Sequence, residues 1–265
     1  MRVLMIGDIV GSLGRTAIQT HLNRLKRAYK PDVTVANGEN AAGGRGITRE
    51  IVRSLLKQGV DCITLGNHAW DRREIFDFID EEPRLVRPAN YPEGTPGQGY
   101  TVIPVGKESL TVINLMGRTF MPPVECPFRT ADALLANLSG KTHIVVDFHA
   151  ETTSEKQAMG WYLDGRVSAV IGTHTHVQTA DERILPGGTA YLSDVGMTGA
   201  YDGVLGMSRD LVLKKFLTQL PVRLEVEKTG GMQVNAVVID LDRTNGKARK
   251  IRRVRIDDDQ PLLDG

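Results

Sequence analysis

The chain has 265 residues, of which 41% are hydrophobic and 25% are charged, and its formal net charge at pH 7 is +1. This composition is that of an ordinary globular protein and excludes a disordered or fibrous chain. The near-zero charge argues against a general nucleic-acid binder, which carries a strong basic field. The two cysteines, Cys62 and Cys126, lack CxxC spacing and are too few for a disulfide framework.

Membrane and secretory signals are also missing from the sequence pattern. No apolar stretch reaches the roughly 20 residues that a membrane-spanning helix needs. The first apolar run reaches Asp8 too early for a secretory signal. No low-complexity linker or internal repeat divides the chain. We therefore expect one domain over residues 1–265, in a soluble cytoplasmic protein with no membrane partner.

The first 80 residues alternate between predicted strands and helices. Short apolar runs predict strands at Val3–Ile6, Asp32–Ala36 and Asp61–Leu65. Apolar residues at helical spacing, with Ser12 and Thr48 as candidate caps, predict helices at Ser12–Tyr29, Thr48–Gln58 and Asp71–Ile79. Such alternation is typical of a mainly parallel sheet.

The pattern changes from residue 99 onward. Gly99–Val105 and Ser109–Leu115 flank a Gly-Lys-Glu turn and predict a hairpin. Helices and strands then alternate, with helices predicted at Arg129–Leu138, Ser154–Leu163 and Ser208–Gln219, and strands at His143–Phe148, Ser168–Ile171 and Tyr191–Ser193. Antiparallel strands are predicted at Val222–Val226, Gln233–Leu241 and Ala248–Ile256. The whole pattern predicts an α/β fold with two stacked sheets covered by helices.

Polar clusters follow several of the predicted strands. They are Gly7-Asp8, Asn37-Gly38-Glu39-Asn40, Gly66-Asn67-His68, Asp147-Phe148-His149 and Gly172-Thr173-His174-Thr175-His176. In α/β sheets, ligands bind in the crevice beyond the carboxyl ends of the strands. We therefore expect these clusters to converge in space although they are scattered in sequence.

Four of the six histidines, His68, His149, His174 and His176, fall in these clusters. A single histidine on an apolar strand is more often a core residue than a ligand. His174 and His176, however, are two residues apart and would point to one side of an extended segment. Together with the acids and amides they indicate a mixed nitrogen and oxygen metal site, which suits Mn, Fe or Zn.

A dinucleotide site is the rival interpretation of the N-terminal region. The glycines of Gly7-x-x-x-Gly11-x-x-Gly14 follow a predicted strand and precede a helix, and Glu39 ends the second strand, where a ribose-binding acid belongs. This interpretation leaves Asn67, His68 and the later histidines without a purpose. We therefore favour the metal site.

In their order along the chain, the five clusters resemble the sequence blocks of the calcineurin-like metallophosphoesterases. That superfamily usually has D-x-H, G-D-x-x-D, G-N-H-[DE], H and G-H-x-H. Here Val10 stands in place of the first histidine, Glu39 in place of an aspartate and Ala42 in place of the second acid, and the third block reads Gly-Asn-His-Ala. This altered set is similar to that of the YmdB-type bacterial metallophosphoesterases, and the match runs from Asp8 to His176.

The resemblance implies a four-layer α/β/β/α sandwich of two mixed sheets with a site for two metal ions. Glu39 is expected to bridge both ions. The remaining ligands are expected to be Asp8, Asn40 and His176 for one ion, and Asn67, His149 and His174 for the other. Asn40 would replace the donor lost at Val10 with a harder oxygen ligand, which favours Fe or Mn, with Zn or Mg as alternatives.

The resemblance also implies hydrolysis of phosphodiesters, including 2′,3′-cyclic nucleotides such as 2′,3′-cAMP. Two ions roughly 3.5–4 Å apart can share a hydroxide as nucleophile, and we expect His68 to act as general acid toward the leaving alkoxide. Asp71 either orients His68 or caps a helix. Candidate substrate-binding residues are Arg45, Arg118 and Thr175, and the glycine-rich stretch Ser193–Met207 is expected to form a mobile rim.

Two other functions stay open at this point. One is a metal-bound regulator that acts through a partner, and the other is an RNA-processing nuclease that acts on short RNA ends. The basic run Lys247–Arg255 is either the charged face of a half-buried strand or a patch that attracts phosphate. We also expect a homo-oligomer.

Overall fold

The computed structural model of the protein describes residues 1–138, 140, 143–257, 259 and 260. Within these residues the chain forms fourteen strands. They are β1 (Arg2–Ile6), β2 (Asp8–Ile9), β3 (Val33–Asn37), β4 (Cys62–Thr64), β5 (Leu85–Val86), β6 (Tyr100–Val105), β7 (Glu108–Met116), β8 (Ile144–His149), β9 (Ala169–Thr173), β10 (Arg183–Ile184), β11 (Ala190–Leu192), β12 (Met197–Ala200), β13 (Met232–Leu241) and β14 (Ala248–Ile256).

Five α-helices connect these strands within the described residues. They are α1 (Gly11–Tyr29), α2 (Arg49–Gln58), α3 (Pro127–Asn137), α4 (Thr153–Leu163) and α5 (Arg209–Thr218). None of these helices is long and apolar enough to cross a membrane. The cytoplasmic location and the homo-oligomer stay predictions.

The strands form two mixed sheets. The first sheet has the order β2-β12-β13-β1-β3-β4-β5, and β14 pairs with the other edge of β13. Strands β1, β3, β4 and β5 run parallel, whereas β13 is antiparallel to β1. The second sheet has the order β10-β11-β9-β8-β7-β6, in which β7, β8, β9 and β11 run parallel. Each sheet therefore has a block of four parallel strands whose carboxyl ends lie at the same side of the sandwich.

Three clusters of buried apolar side chains separate four layers of structure. The first cluster lies between the first sheet and helices α1 and α2, and includes Leu4 and Leu22. The second lies between the two sheets and includes Met5 and Val145. The third lies between the second sheet and helices α3 and α4, and includes Met159. Leu4 and Met5 face opposite sides because neighbouring strand residues alternate. The predicted four-layer α/β/β/α sandwich is confirmed.

Helix α2 shows how local sequence sets the bounds of an element. The hydroxyl of Thr48 accepts a hydrogen bond from the Ile51 backbone N–H at 3.4 Å, as an N-cap does. Gly59 ends the helix with φ of 101°, a conformation that glycine adopts at little cost. Both ends of this helix agree with the prediction.

Three local predictions were wrong. Residues 71–79 do not form an α-helix but contain the 3-10 helix Arg73–Asp77. The Asp77 carbonyl at its end accepts a hydrogen bond from the Arg49 guanidinium and not from a following helical turn. Residues 222–226 form no strand, because only Val226 bridges to another segment, at Met207. Ser12 does not cap α1, which begins at Gly11 with Val10 as its N-cap.

The sheets also decide the structure of the basic run Lys247–Arg255 and of the glycine-rich stretch Ser193–Met207. Strand β14 spans the basic run, and three of its arginines pair with carboxylates: Arg249 with Asp242, Arg253 with Glu182 and Arg255 with Asp257. The charged face of a half-buried strand is thus the correct interpretation. Part of the predicted mobile rim is buried sheet, because β12 pairs with β13 and β2.

We expect Leu22→Ala to lower the free energy of unfolding by about 2–5 kcal/mol, because it removes buried methyl groups and leaves a cavity under the first sheet. Leu22 is 2% exposed, whereas Leu217 on α5 is 82% exposed. The matched variant Leu217→Ala should change the free energy of unfolding by less than about 0.5 kcal/mol. Urea unfolding followed by circular dichroism measures both, and equal effects would contradict the layer assignment.

Candidate metal centre

The carboxyl ends of the two blocks of parallel strands meet at His149, the last residue of β8. Its Nε2 atom lies 3.0 Å from Glu39 Oε1, 2.9 Å from Asn67 Oδ1 and 3.0 Å from His174 Nδ1. Glu39 and Asn67 follow strands of the first sheet, and His174 follows β9 of the second. We call these four residues the first donor group, since each directs a nitrogen or oxygen atom to one point.

The other ring nitrogens of the two histidines are held by hydrogen bonds. His149 Nδ1 donates to the Thr173 hydroxyl at 2.9 Å, and this hydroxyl donates to Asp147 Oδ1 at 2.7 Å. His174 Nε2 donates to Glu151 Oε2 at 2.9 Å. Such contacts fix the tautomer and ring orientation of metal-binding histidines. They leave His149 Nε2 and His174 Nδ1 directed at the shared point.

In this group, burial and neighbouring charges have opposite effects on the pKa values of His149 and Glu39. Burial by itself would lower the pKa of His149, but the charge of Glu39 beside it raises that pKa to about 9. Burial would raise the pKa of Glu39, but His149 lowers it to about 2. Burial and the charge of His149 lower the pKa of His174 to about 3. The proton on His149 Nε2 thus lies close to acceptor atoms of Glu39, Asn67 and His174. A metal ion in place of this proton could contact those three atoms and His149 Nε2.

A second donor group consists of Asp8, Asn40 and His176. Asp8 is fully buried, its Oδ2 accepts the His174 backbone N–H at 3.2 Å, and its Oδ1 lies 3.9 Å from His176 Nε2. The Asn40 amide group is oriented by donation from Nδ2 to the Gly44 carbonyl at 3.0 Å. The donor oxygens of this group therefore come from the first residue of β2 and from the loop after β3.

Two of these oxygens have unmet hydrogen-bonding capacity. Oδ1 of Asp8 and Oδ1 of Asn40 are buried and have no hydrogen-bond partner among the described residues. An unpaired buried polar atom costs about 1–3 kcal/mol. A cation would remove that penalty, and oxygen and imidazole ligands suit Fe, Mn or Zn. The residues of both groups therefore fit metal ions.

The loop after β9 that carries His174 and His176 is not extended. The prediction that the two rings point to one side of an extended segment was therefore wrong. Both have positive φ, 102° for His174 and 66° for His176, which is strained for residues other than glycine. Between them, Thr175 donates its backbone N–H and hydroxyl to Asp194 at 2.9 and 2.7 Å. The buried Lys156 binds the same carboxylate at 2.6 Å. These contacts hold the turn that directs both rings to the site.

The predicted catalytic residue lies beside the donors without sharing their point of convergence. The His68 backbone N–H donates to Glu39 Oε2 at 2.8 Å, and its ring Nδ1 lies 2.9 Å from Asp71 Oδ2. Its side chain is 23% exposed, in contrast to the fully buried His149. Asp71 thus contacts His68 in the way expected of an orienting residue.

The structure brings the seven predicted ligand residues to one edge of the sandwich, and their assignment as ligands stays a prediction. The substrate residues are more dispersed. Arg45 lines a cleft together with Asp71. Arg118 is exposed and its backbone N–H donates to Glu155, while the Thr175 hydroxyl is occupied by Asp194. The substrate role of these three residues also stays a prediction.

Sequence reasoning missed the residues that support the donors. Asp147 is buried in β8, and burial raises its pKa to about 6. It accepts hydrogen bonds from Thr173, from the Thr64 hydroxyl and from Asn37 Nδ2 at 3.3 Å. The sequence signal for this role was an acid inside the apolar run Ile-Val-Val-Asp-Phe-His, because a buried acid needs several hydrogen-bond partners.

We expect Gly66→Ala to weaken metal binding by about 10–100-fold while the fold is retained, as loss of support for a ligand does. A Cβ at Gly66 would lie 2.3 Å from His149 Cδ2 and 2.4 Å from Nε2, so the imidazole must move. Metal content by mass spectrometry, with circular dichroism for the fold, measures the effect. Gly94→Ala is the control: a Cβ there meets no atom within 4 Å, so this variant carries only the backbone strain of an alanine at φ of 81°. Unchanged metal content in Gly66→Ala would exclude His149 as a ligand.

Comparison with known proteins places the chain among bacterial relatives. A family model described as YmdB-like protein matches residues 4–254. The chain is 58% identical to a 2′,3′-cyclic-nucleotide 2′-phosphodiesterase of Bacillus subtilis, with 100% of both chains covered.

Two crystal structures share the fold over nearly their whole length. A hypothetical protein from Thermus thermophilus has a TM-score of 0.91 and 44% identity, with 97% of this chain and 99% of that chain covered. A novel phosphatase from Mycoplasma pneumoniae has a TM-score of 0.91 and 34% identity, with 97% and 93% covered. The prediction of an enzyme of the hydrolase class is confirmed at the level of these relatives. The family match and these identities show that the chain belongs to the YmdB-like protein family, as the sequence blocks from Asp8 to His176 predict.

Proposed function

We propose that this protein is a dinuclear metal-dependent phosphodiesterase that hydrolyses 2′,3′-cyclic nucleotides, with 2′,3′-cAMP as a substrate. The observation that carries the proposal is the convergence of three donor atoms, from loops of both sheets, on His149 Nε2. The unpaired oxygens of Asp8 and Asn40 beside it support a second ion. The substrate class follows the Bacillus subtilis relative, which is 58% identical over the full chain.

The two donor groups divide the ligands between two ions. Glu39 would be shared by both ions, as the resemblance of the sequence blocks implies; its Oε1 faces His149, and its Oε2 accepts the His68 backbone N–H. Asp8, Asn40 and His176 would complete one shell, and Asn67, His149 and His174 the other. Fe or Mn is the proposed metal, with Zn or Mg as alternatives. When bound, such a pair makes a water nucleophilic near neutral pH and neutralises the charge of the phosphate.

His68 is the proposed general acid. Its Nδ1 is engaged by Asp71, so Nε2 is the ring atom available to a substrate. Hydrolysis of the bond between phosphorus and O2′ consumes one water and gives a 3′-phosphomonoester and a free 2′-hydroxyl. The departing O2′ must gain a proton, and Nε2 of His68 would supply it. The carboxylate of Asp71 would hold the imidazole in the orientation that this transfer needs.

We expect Glu39→Gln to abolish hydrolysis of both 2′,3′-cAMP and bis-p-nitrophenyl phosphate, because a neutral amide cannot hold two cations as a bridging carboxylate does. Turnover and metal content are measured on protein loaded with Fe or Mn. Glu93→Gln, at an exposed position, should behave as the wild type. Two bound metal ions without turnover of either compound in the wild type would contradict the phosphodiesterase and favour a regulatory role.

We expect His68→Ala to reduce kcat for 2′,3′-cAMP by about 10²–10⁴-fold, the usual contribution of a general acid, with metal content unchanged. Asp71→Asn should cause a smaller loss, because it weakens the orientation of the ring but keeps the imidazole. His21→Ala, on α1, is the matched histidine control. Loss of bound metal in His68→Ala would instead identify His68 as a ligand and remove it from the acid role.

A further inference from the structure

A basic cleft borders the candidate metal centre, and its cationic side chains have no role in the mechanism above. It has a volume of about 670 Å³, within the roughly 300–1,000 Å³ typical of ligand pockets. The cleft is lined by the glycine-rich loop around Arg45, by Asp71 and Arg72, by Lys215 of α5, and by residues 222–224 and Val226.

The cleft is continuous with the site through two contacts. Asp71 lines the cleft and also holds His68 Nδ1 at 2.9 Å. Gly44 lines the cleft, and its carbonyl accepts the hydrogen bond from Asn40 Nδ2 at 3.0 Å. A molecule in the cleft would therefore lie next to both the proposed general acid and a proposed metal ligand.

The charges in the cleft favour an anion. Arg45, Lys215 and Arg223 are exposed, and their side chains have no hydrogen-bond or ion-pair partner among the described residues. Arg72 is also cationic, but its guanidinium is used to fix the loop by donating to the carbonyls of Ala42 and Arg45. Asp71 is the single acid of the lining, and it is already paired with His68. By contrast, Arg249, Arg253 and Arg255 of β14 have carboxylate partners.

The apolar part of the lining suits the rest of a nucleotide. Met207, Val222, Leu224 and Val226 line the cleft beside the cations. Aliphatic side chains can pack against the face of any base, whereas no aromatic ring lines this cleft to stack on one. The cleft therefore offers contacts to phosphate and to base that do not depend strongly on which base is present.

We propose that the basic cleft binds the nucleotide that precedes a terminal 2′,3′-cyclic phosphate, so that the substrate is the 3′ end of an RNA oligonucleotide. The proposal rests on the proposed function of the metal centre. A mononucleotide has its single phosphate at the metal ions and leaves Arg45, Lys215 and Arg223 without an anion. An oligonucleotide has a further phosphate on the 5′ side of the terminal ribose. With O2′ of that ribose at His68, the ribose would lie near Asp71, which also lines the cleft, and the 5′ phosphate could extend to the cleft cations.

The chemistry of RNA cleavage supplies such ends. Attack of a 2′-hydroxyl on its own 3′-phosphodiester breaks the bond to the next nucleoside and leaves a 2′,3′-cyclic phosphate. Hydrolysis of the bond from phosphorus to O2′ then gives a 3′-phosphate end and regenerates the 2′-hydroxyl. The reaction that precedes this protein is therefore an RNA cleavage by transesterification, and its product is an oligonucleotide with a 3′-phosphate.

The test compares 2′,3′-cAMP with an adenosine dinucleotide that ends in a 2′,3′-cyclic phosphate, using metal-loaded protein. The cleft variant is Lys215→Gln/Arg223→Gln. The control is Lys214→Gln/Lys228→Gln, which removes the same charge from exposed positions outside the cleft, one of them next to Lys215 on α5. We expect the wild type to prefer the dinucleotide by about 10-fold in kcat/KM, through a lower KM, as two cation–phosphate contacts would provide.

The cleft variant should lose this preference, keep its turnover of 2′,3′-cAMP, and show a weaker salt dependence of KM for the dinucleotide. The control should retain the preference. Equal kcat/KM for both substrates in the wild type, or equal losses in the two variants, would overturn the cleft proposal while turnover of 2′,3′-cAMP keeps the proposed function. Absence of turnover for both substrates in the wild type would instead overturn the proposed function itself.

Discussion

The contact of His149 with Glu39, Asn67 and His174 joins the two halves of this molecule. Glu39 and Asn67 stand on loops of the first sheet, and His149 and His174 belong to the second. Their atoms meet within about 3 Å, where Glu39 and His149 are buried and Asn67 and His174 are partly exposed. Burial of charged and polar groups costs free energy unless the groups are paired. The cluster around His149 is therefore stable only if neighbouring groups pair with its charged and polar atoms. Much of the local structure at this edge serves that purpose.

Compensation comes from hydrogen bonds that cross between segments distant in sequence. Asp147 collects donors from Thr64 and Asn37 of the first sheet and from Thr173 of the second. The Lys156–Asp194 pair, itself buried, holds the strained turn between His174 and His176. Removal of one member of such a pair is expected to be more damaging than removal of an exposed ion pair. Within the two donor groups, Oδ1 of Asp8 and Oδ1 of Asn40 are buried without a hydrogen-bond partner, and a metal ion would compensate both atoms.

The glycine-rich loop after β3 connects the metal centre to the basic cleft. It contributes Glu39 and Asn40 to the donors, and a few residues later Arg45 to the cleft. The backbone turns sharply at Gly44, where φ is 96° and a Cβ would meet Val226 at 2.5 Å. Arg72 fixes the same loop through two backbone carbonyls. Movement of this loop would therefore change both the ligand positions and the substrate surface.

The sequence by itself determined the alternation of strands and helices, the loops that hold the donors and the family. Hydrophobic periodicity and caps such as Thr48 and Gly59 depend on near neighbours in the chain, and so do motifs such as Gly66-Asn67-His68. The tertiary structure decided what depends on distant segments. Val222–Val226 alternates like a strand but has no partner strand, and it forms a cleft wall instead. Packing also decides which side chains are paired, because a side chain's partners are fixed only when the sheets and loops are assembled. It places Asp147 where it supports His149, and it pairs His68 with Asp71. It leaves the side chains of Arg45, Lys215 and Arg223 without a partner in the described part of the chain.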